Sequence, residues 1–160
     1  MGSKLSMREF VHALLIDAPP AAVLDAFFDP TALGAWWEVS RSVCVPRPFG
    51  SYAVEWEPTP WRDEVLGRLG GAFHGTVVEF TPGQEFFVGD LFWHPPDGDP
   101  IGPMLLEARC KPSGHATLLH LRQSGHDGTN ERWTRYYDVM SDGWIVALGS
   151  LKQYLEQRWP

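Results

Sequence analysis

Three side chains in this sequence are of types that move protons and stand where apolar neighbours could tune them: Asp90, His74 and Tyr136. Asp90 interrupts the apolar run Phe-Phe-Val-Gly-Asp-Leu-Phe-Trp at residues 86–93. If it points inward with Phe86 and Val88, it is a partly buried carboxylate with a raised pKa, fit to anchor a ligand or to act as an acid or base. The other reading is an aspartate in water or paired with an arginine, since buried unpaired Asp is rare. His74 shares a strand face with Thr76 and Val78, as a polar contact in a pocket or as a histidine satisfied by its neighbours.

Other chemistries find no motif. His12, His94, His115, His120 and His126 lack the spacing of metal ligands, and paired cysteines are missing, so no metal site is expected. There is no Gly-x-Ser-x-Gly nucleophile turn, no phosphate-cradling loop and no dinucleotide fingerprint. Gly67-Arg-Leu-Gly-Gly71 lacks the lysine and the helix that would give it meaning. No catalytic set and no cofactor are therefore assigned.

The composition bounds the alternatives. The 160 residues fit one domain, and 44% of them are hydrophobic, a globular composition. Net charge is −7 and the 13 basic residues are scattered, which disfavours a nucleic-acid partner and an anionic membrane surface. No apolar run approaches the roughly 20 residues of a transmembrane helix. Cys44 and Cys110 are expected as free thiols in the cytoplasm, because the polar start MGSKLSMREF has no signal core. That start fits the loose Met-Gly-x-x-x-Ser myristoylation pattern, which is too degenerate to carry a lipid assignment. Eight tryptophans and nine phenylalanines are a heavy aromatic load, suited to filling large spaces or lining cavities.

The elements that must position these residues follow from periodicity. Residues 8–16 read as a strand, 19–30 as a short helix started by Pro19 and Pro20, and 30–36 as a second helix capped by Asp29. A period of two then marks strands over 38–45, 51–57, 72–80, 85–93, 104–111 and 116–124. Residues 58–71 and 94–103 read as loops. From Glu131, the stripe Trp133, Tyr137, Met140, Trp144, Leu148, Leu151 and Leu155 predicts one long helix to about residue 157. Gly143 and Gly149 within it imply a neighbour's close approach or slack that function uses. Short connections imply an antiparallel meander, and the helix must bury its stripe on that sheet. A curved sheet around one helix leaves a space between them.

The segment IDAPPAAVLDAFFDPTALGAWW resembles the opening of the START-like (SRPBCC, birch-pollen-allergen-like) superfamily, and within it the heat-shock-protein-90 ATPase activator homologues. PFGSYAVEW, HGTVVEFTPGQEFFV, LLHLRQSGH and DGWIVALGSLKQYLE agree in order, so the resemblance spans about residues 10 to 157. It implies a single α+β helix-grip domain over the whole chain. A curved antiparallel sheet of about six to seven strands would wrap the C-terminal helix, with two short helices after the first strand. The sequence departs from the family at Asp90, at Gln123 where a histidine is frequent, and at His126 where an aromatic is.

On that fold, alternation places Tyr52, Val54, Trp56, His74, Thr76, Val78, Met104, Leu106, Leu119 and Leu121 on the concave face. Tyr136, Met140, Gly143, Trp144 and Ala147 of the helix look towards them. The ligand-lining candidates are Trp37, Tyr52, Trp56, His74, Asp90, Tyr136, Met140 and Trp144. Trp36 is expected to seal the short helices against the core and Trp37 to lean towards the cavity mouth, since adjacent helical residues point about 100° apart.

Three functions follow. The first is binding of a small apolar or aromatic molecule without chemistry, given a cavity-forming fold and no catalytic constellation. The second, implied by the resemblance, is protein interaction with a chaperone or a second copy, in a stress response. The third is an enzyme similar to START-like polyketide cyclases and aromatases, with Asp90, His74 and Tyr136 as its acid and base groups.

Overall fold

The structure is a computed structural model that describes residues 7–127 and 129–159; the myristoylation-like start and the side chain of His126 lie outside what is described. The element order is β1 (Met7–Ile16), α1 (Pro20–Asp25), α2 (Pro30–Trp37), β2 (Val39–Cys44), β3 (Ser51–Trp56), β4 (Arg62–Asp63), β5 (Gly67–Arg68), β6 (Ala72–Thr81), β7 (Glu85–His94), β8 (Ile101–Ser113), β9 (Ala116–Asp127) and α3 (Glu131–Arg158). Seven strands form one antiparallel sheet in the order β1-β9-β8-β7-β6-β3-β2. Six of them run as the expected meander, and β1 closes the series beside β9. This is the helix-grip α+β arrangement, with α3 on one face of the sheet.

The start of α2 is as the expected Asp29 cap predicts, and α3 has a cap of the same kind. The Asp29 carboxylate accepts from the Ala32 N–H at 2.9 Å, and the Asn130 side chain accepts from Arg132 and Trp133. The α3 stripe is the one periodicity gives: Tyr137, Trp144, Leu148, Leu151 and Leu155 are buried. Three boundaries differ. α1 ends at Asp25, and Phe27 and Phe28 follow in turns closed by i−3 hydrogen bonds. β8 begins at Ile101, inside the expected loop. The 58–71 excursion carries a small ribbon of β4 and β5. Asp63 pins it: its carboxylate accepts from the Val65 and Leu66 N–H groups and from Arg135 Nε at 2.8 Å.

Two strands break the simple alternation, and the break decides which residues face the helix. On β6, Phe73, Gly75 and Val77 are inward, while His74 and Val78 are exposed. A register shift between Val77 and Glu79 restores the inward face at Phe80. The three-residue set expected inward there, His74, Thr76 and Val78, is therefore on the outer face. On β7, Phe86 and Val88 point inward, and so do Leu91 and Trp93. The parity changes at a bulge where Asp90 takes the left-handed conformation, φ 46°. That bulge turns the Asp90 side chain into solvent. The bulged strands come close at Gly75: a Cβ there would stand 2.7 Å from Val88 and 2.9 Å from the Gly89 carbonyl.

Candidate functional site

The space between the sheet and α3 is filled at its centre. Tyr136 is fully buried, with its ring 5.5 Å from that of Trp93. Its hydroxyl accepts from Gln123 Nε2 at 2.8 Å. Tyr52 is equally buried and donates to the Phe27 carbonyl at 2.9 Å, inside a cluster with Phe28 and Phe86. Burial pushes both phenols well above the ordinary tyrosine pKa, so both are neutral hydrogen-bonding groups of the core.

What stays open is a crevice of about 390 Å³ between α2, α3 and the end of β3. Trp37, Glu38, Trp56, Met140, Gly143 and Trp144 are among its walls. Its size is within the range of small-molecule sites. Each wall has a reason in the chain. Trp56 ends β3 and donates its indole N–H to the Trp37 carbonyl at 3.0 Å, which joins the sheet to the end of α2. Trp144 lies one turn beyond Met140 on α3 and donates to Gln123 Oε1 at 3.2 Å. Trp37 is the hub: its ring centre is 4.8 Å from Trp144, 5.2 Å from Trp56 and 6.1 Å from Phe73.

Trp36 seals the short helices, as expected: it is 2% exposed and donates to the Ala26 carbonyl at 2.9 Å. The expected divergence of the two adjacent rings is corrected. They stack at 5.1 Å and within 3° of parallel, because side-chain torsions outweigh the turn of the backbone between them. Gly143 and Gly149 face no close neighbour; a Cβ at either meets nothing within 4 Å. At Gly143 the missing side chain leaves the crevice wall open.

Of the eight lining candidates, the structure brings together Trp37, Trp56, Met140 and Trp144. Tyr52 and Tyr136 are core residues. His74 and Asp90 are on the opposite face of the sheet, so the three acid and base candidates do not converge. Sequence reasoning missed Glu38, Gly70 and Phe73, which also border the crevice. Phe73 was within reach of the pattern once its strand face was assigned correctly, whereas nothing in the sequence marks Glu38. It also missed Gln123 as the polar tie of the core, although its departure from the family's histidine was a signal.

A second groove, of about 820 Å³, lies on the outer face over β7 to β9. Four of its charged residues are in ion pairs: Arg109 with Glu85 and Glu107, Arg122 with Glu107 and with the neighbouring Glu9. It reads as a solvated charged face. Among the described residues, no helix is long and apolar enough to cross a membrane.

A sequence comparison with curated proteins finds no match. Solved structures match over most of the chain. A Mesorhizobium loti protein superposes with a TM-score of 0.71 at 20% identity, covering 94% of this chain and 98% of its own. An AHSA1 protein from Silicibacter pomeroyi gives 0.68 at 16% identity, covering 94% and 99%. The Aha1 dimer from Colwellia psychrerythraea, solved in solution, gives 0.63 at 18% identity, covering 94% and 97%. At these identities the likeness shows the fold alone. The family model described as activator of Hsp90 ATPase homolog 1-like protein matches residues 17–156, and with almost the whole domain inside that match, the chain belongs to this family.

Proposed function

We propose that this protein binds a small apolar or aromatic molecule in the crevice between α2 and α3, without chemistry of its own. The observation that carries this reading is the crevice itself: four indoles and a thioether surround about 390 Å³, and Gly143 keeps one wall open. Aromatic walls with few polar groups favour such ligands. Native mass spectrometry of the purified protein tests it, with a co-purifying molecule released on unfolding as the expected result. Absence of any adduct, together with unchanged tryptophan emission across a panel of aromatic ligands, would overturn it. We place the protein in the cytoplasm, where the free Cys44 and Cys110 thiols are at home.

The family match favours a second reading, contact with an Hsp90-type chaperone or with a second copy, in a stress response. The neighbour from Colwellia psychrerythraea is described as a dimer. Chaperone ATPase rates with and without the protein, and its mass by light scattering, test the two contacts. No stimulation and a monomeric mass would sink them.

A further inference from the structure

We infer that the ligand of the crevice is an organic cation, an apolar molecule bearing an ammonium group; this rests on the crevice being the binding site. The argument is one of polarity. Among the described residues that line the crevice, Glu38 is the one with an ionisable side chain, and no lysine, arginine or histidine borders it. Three of the four indole N–H groups on the wall are already used, which leaves that of Trp37 as the one such donor not committed to the protein in this way. Trp36 donates to Ala26, Trp56 to Trp37 and Trp144 to Gln123. What these rings leave for a ligand is their π systems, which attract positive charge. The chain as a whole is at −7, so its field also draws cations in.

Glu38 is held in place at a cost. It ends α2 in the left-handed conformation, φ 57°, a position that helices usually give to glycine. A charged side chain kept at such a position is the kind of local strain that collects at functional sites. A fatty acid or a phosphate ester finds no positively charged partner in the crevice. An alkyl- or arylammonium ion finds an exposed acidic residue, Glu38, bordering the crevice beside its indoles.

The test compares two probes of one shape, phenyltrimethylammonium and its neutral isostere tert-butylbenzene, by tryptophan fluorescence titration of the full chain. The expected result is about tenfold tighter binding of the ammonium. Glu38→Gln should cut that preference by about threefold, as should raised salt. Gly143→Leu should remove the response to both probes. Equal affinity for the two probes overturns the cation inference while leaving the crevice as a site for apolar molecules. Binding of neither probe overturns the inference together with the reading it rests on. An ammonium preference that survives in Gly143→Leu puts the cation elsewhere and also overturns it.

Discussion

The indole N–H of Trp144 donates to the side-chain oxygen of Gln123 at 3.2 Å, and the amide nitrogen of the same Gln123 donates to Tyr136 at 2.8 Å. Gln123 is fully buried on β9, and both partners are on α3. One amide thus satisfies two polar groups that the helix brings into the core, and it fixes how α3 is rotated on the sheet. Replacing Gln123 by Leu strands the Trp144 N–H and removes the donor to Tyr136. The expected cost is about 2 kcal/mol in a urea unfolding curve. Adding Tyr136→Phe to that variant should recover part of the loss, because it removes the second orphaned group. A further loss equal to that of Tyr136→Phe alone would show that the two do not act as a pair.

Gly143 separates stability from binding. Its position is exposed, helical and empty beyond where a Cβ would be. Gly143→Leu should therefore raise stability by roughly 0.5–1 kcal/mol through helix propensity. The same side chain would occupy the crevice and abolish ligand-dependent tryptophan emission. A variant that is more stable and still responds to ligand would place the site elsewhere.

Asp63 gives the 58–71 excursion a pH dependence. The hydrogen bond from Arg135, helped by the Leu66 and Val65 N–H groups, holds its carboxyl below the ordinary range. A pKa lowered on folding contributes stability above the unfolded value, and the contribution fades as pH falls through the folded value. Asp63→Asn should lower the melting temperature by about 2 °C at pH 7. The difference between the two proteins should be constant above about pH 5, begin to shrink below about pH 4 and disappear only once the pH has fallen past the lowered folded value. Melting curves across that range check it, and a difference that persists at low pH would contradict the ion pair.

Both cysteines are poor nucleophiles. Burial pushes the Cys44 thiol up to about 11 and the Cys110 thiol to about 12. At pH 8 Cys44 should react with a disulfide reagent roughly a hundredfold, and Cys110 roughly a thousandfold, more slowly than a free cysteine, since the thiolate is the reactive form. Full reactivity should return in denaturant. Stopped-flow absorbance measures both rates, and fast labelling of the folded protein would show that these thiols open to solvent.

The sequence by itself determined the elements and their order. Periods of two and of 3.6 are local properties, and the cap at Asp29, like the α3 stripe, is read within a few residues. It also singled out Trp36 as a seal, Trp37 as a ring leaning towards a cavity mouth and Trp144 as a lining candidate. Only the tertiary structure decided which way β6 and β7 face. A bulge of one residue inverts a strand, and the bulges at Asp90 and after Val77 answer to packing between strands distant in sequence. Asp90 left the cavity for that reason, and His74 because the inward face of β6 is the one carried by Phe73, Gly75 and Val77. Tertiary packing also decided where space remains: Tyr52 and Tyr136 have the same composition signal as Trp37 and Trp56, yet the first pair closes the core and the second borders the crevice. Whether an aromatic ring fills a space or walls it depends on what stands opposite, and that neighbour comes from another part of the chain.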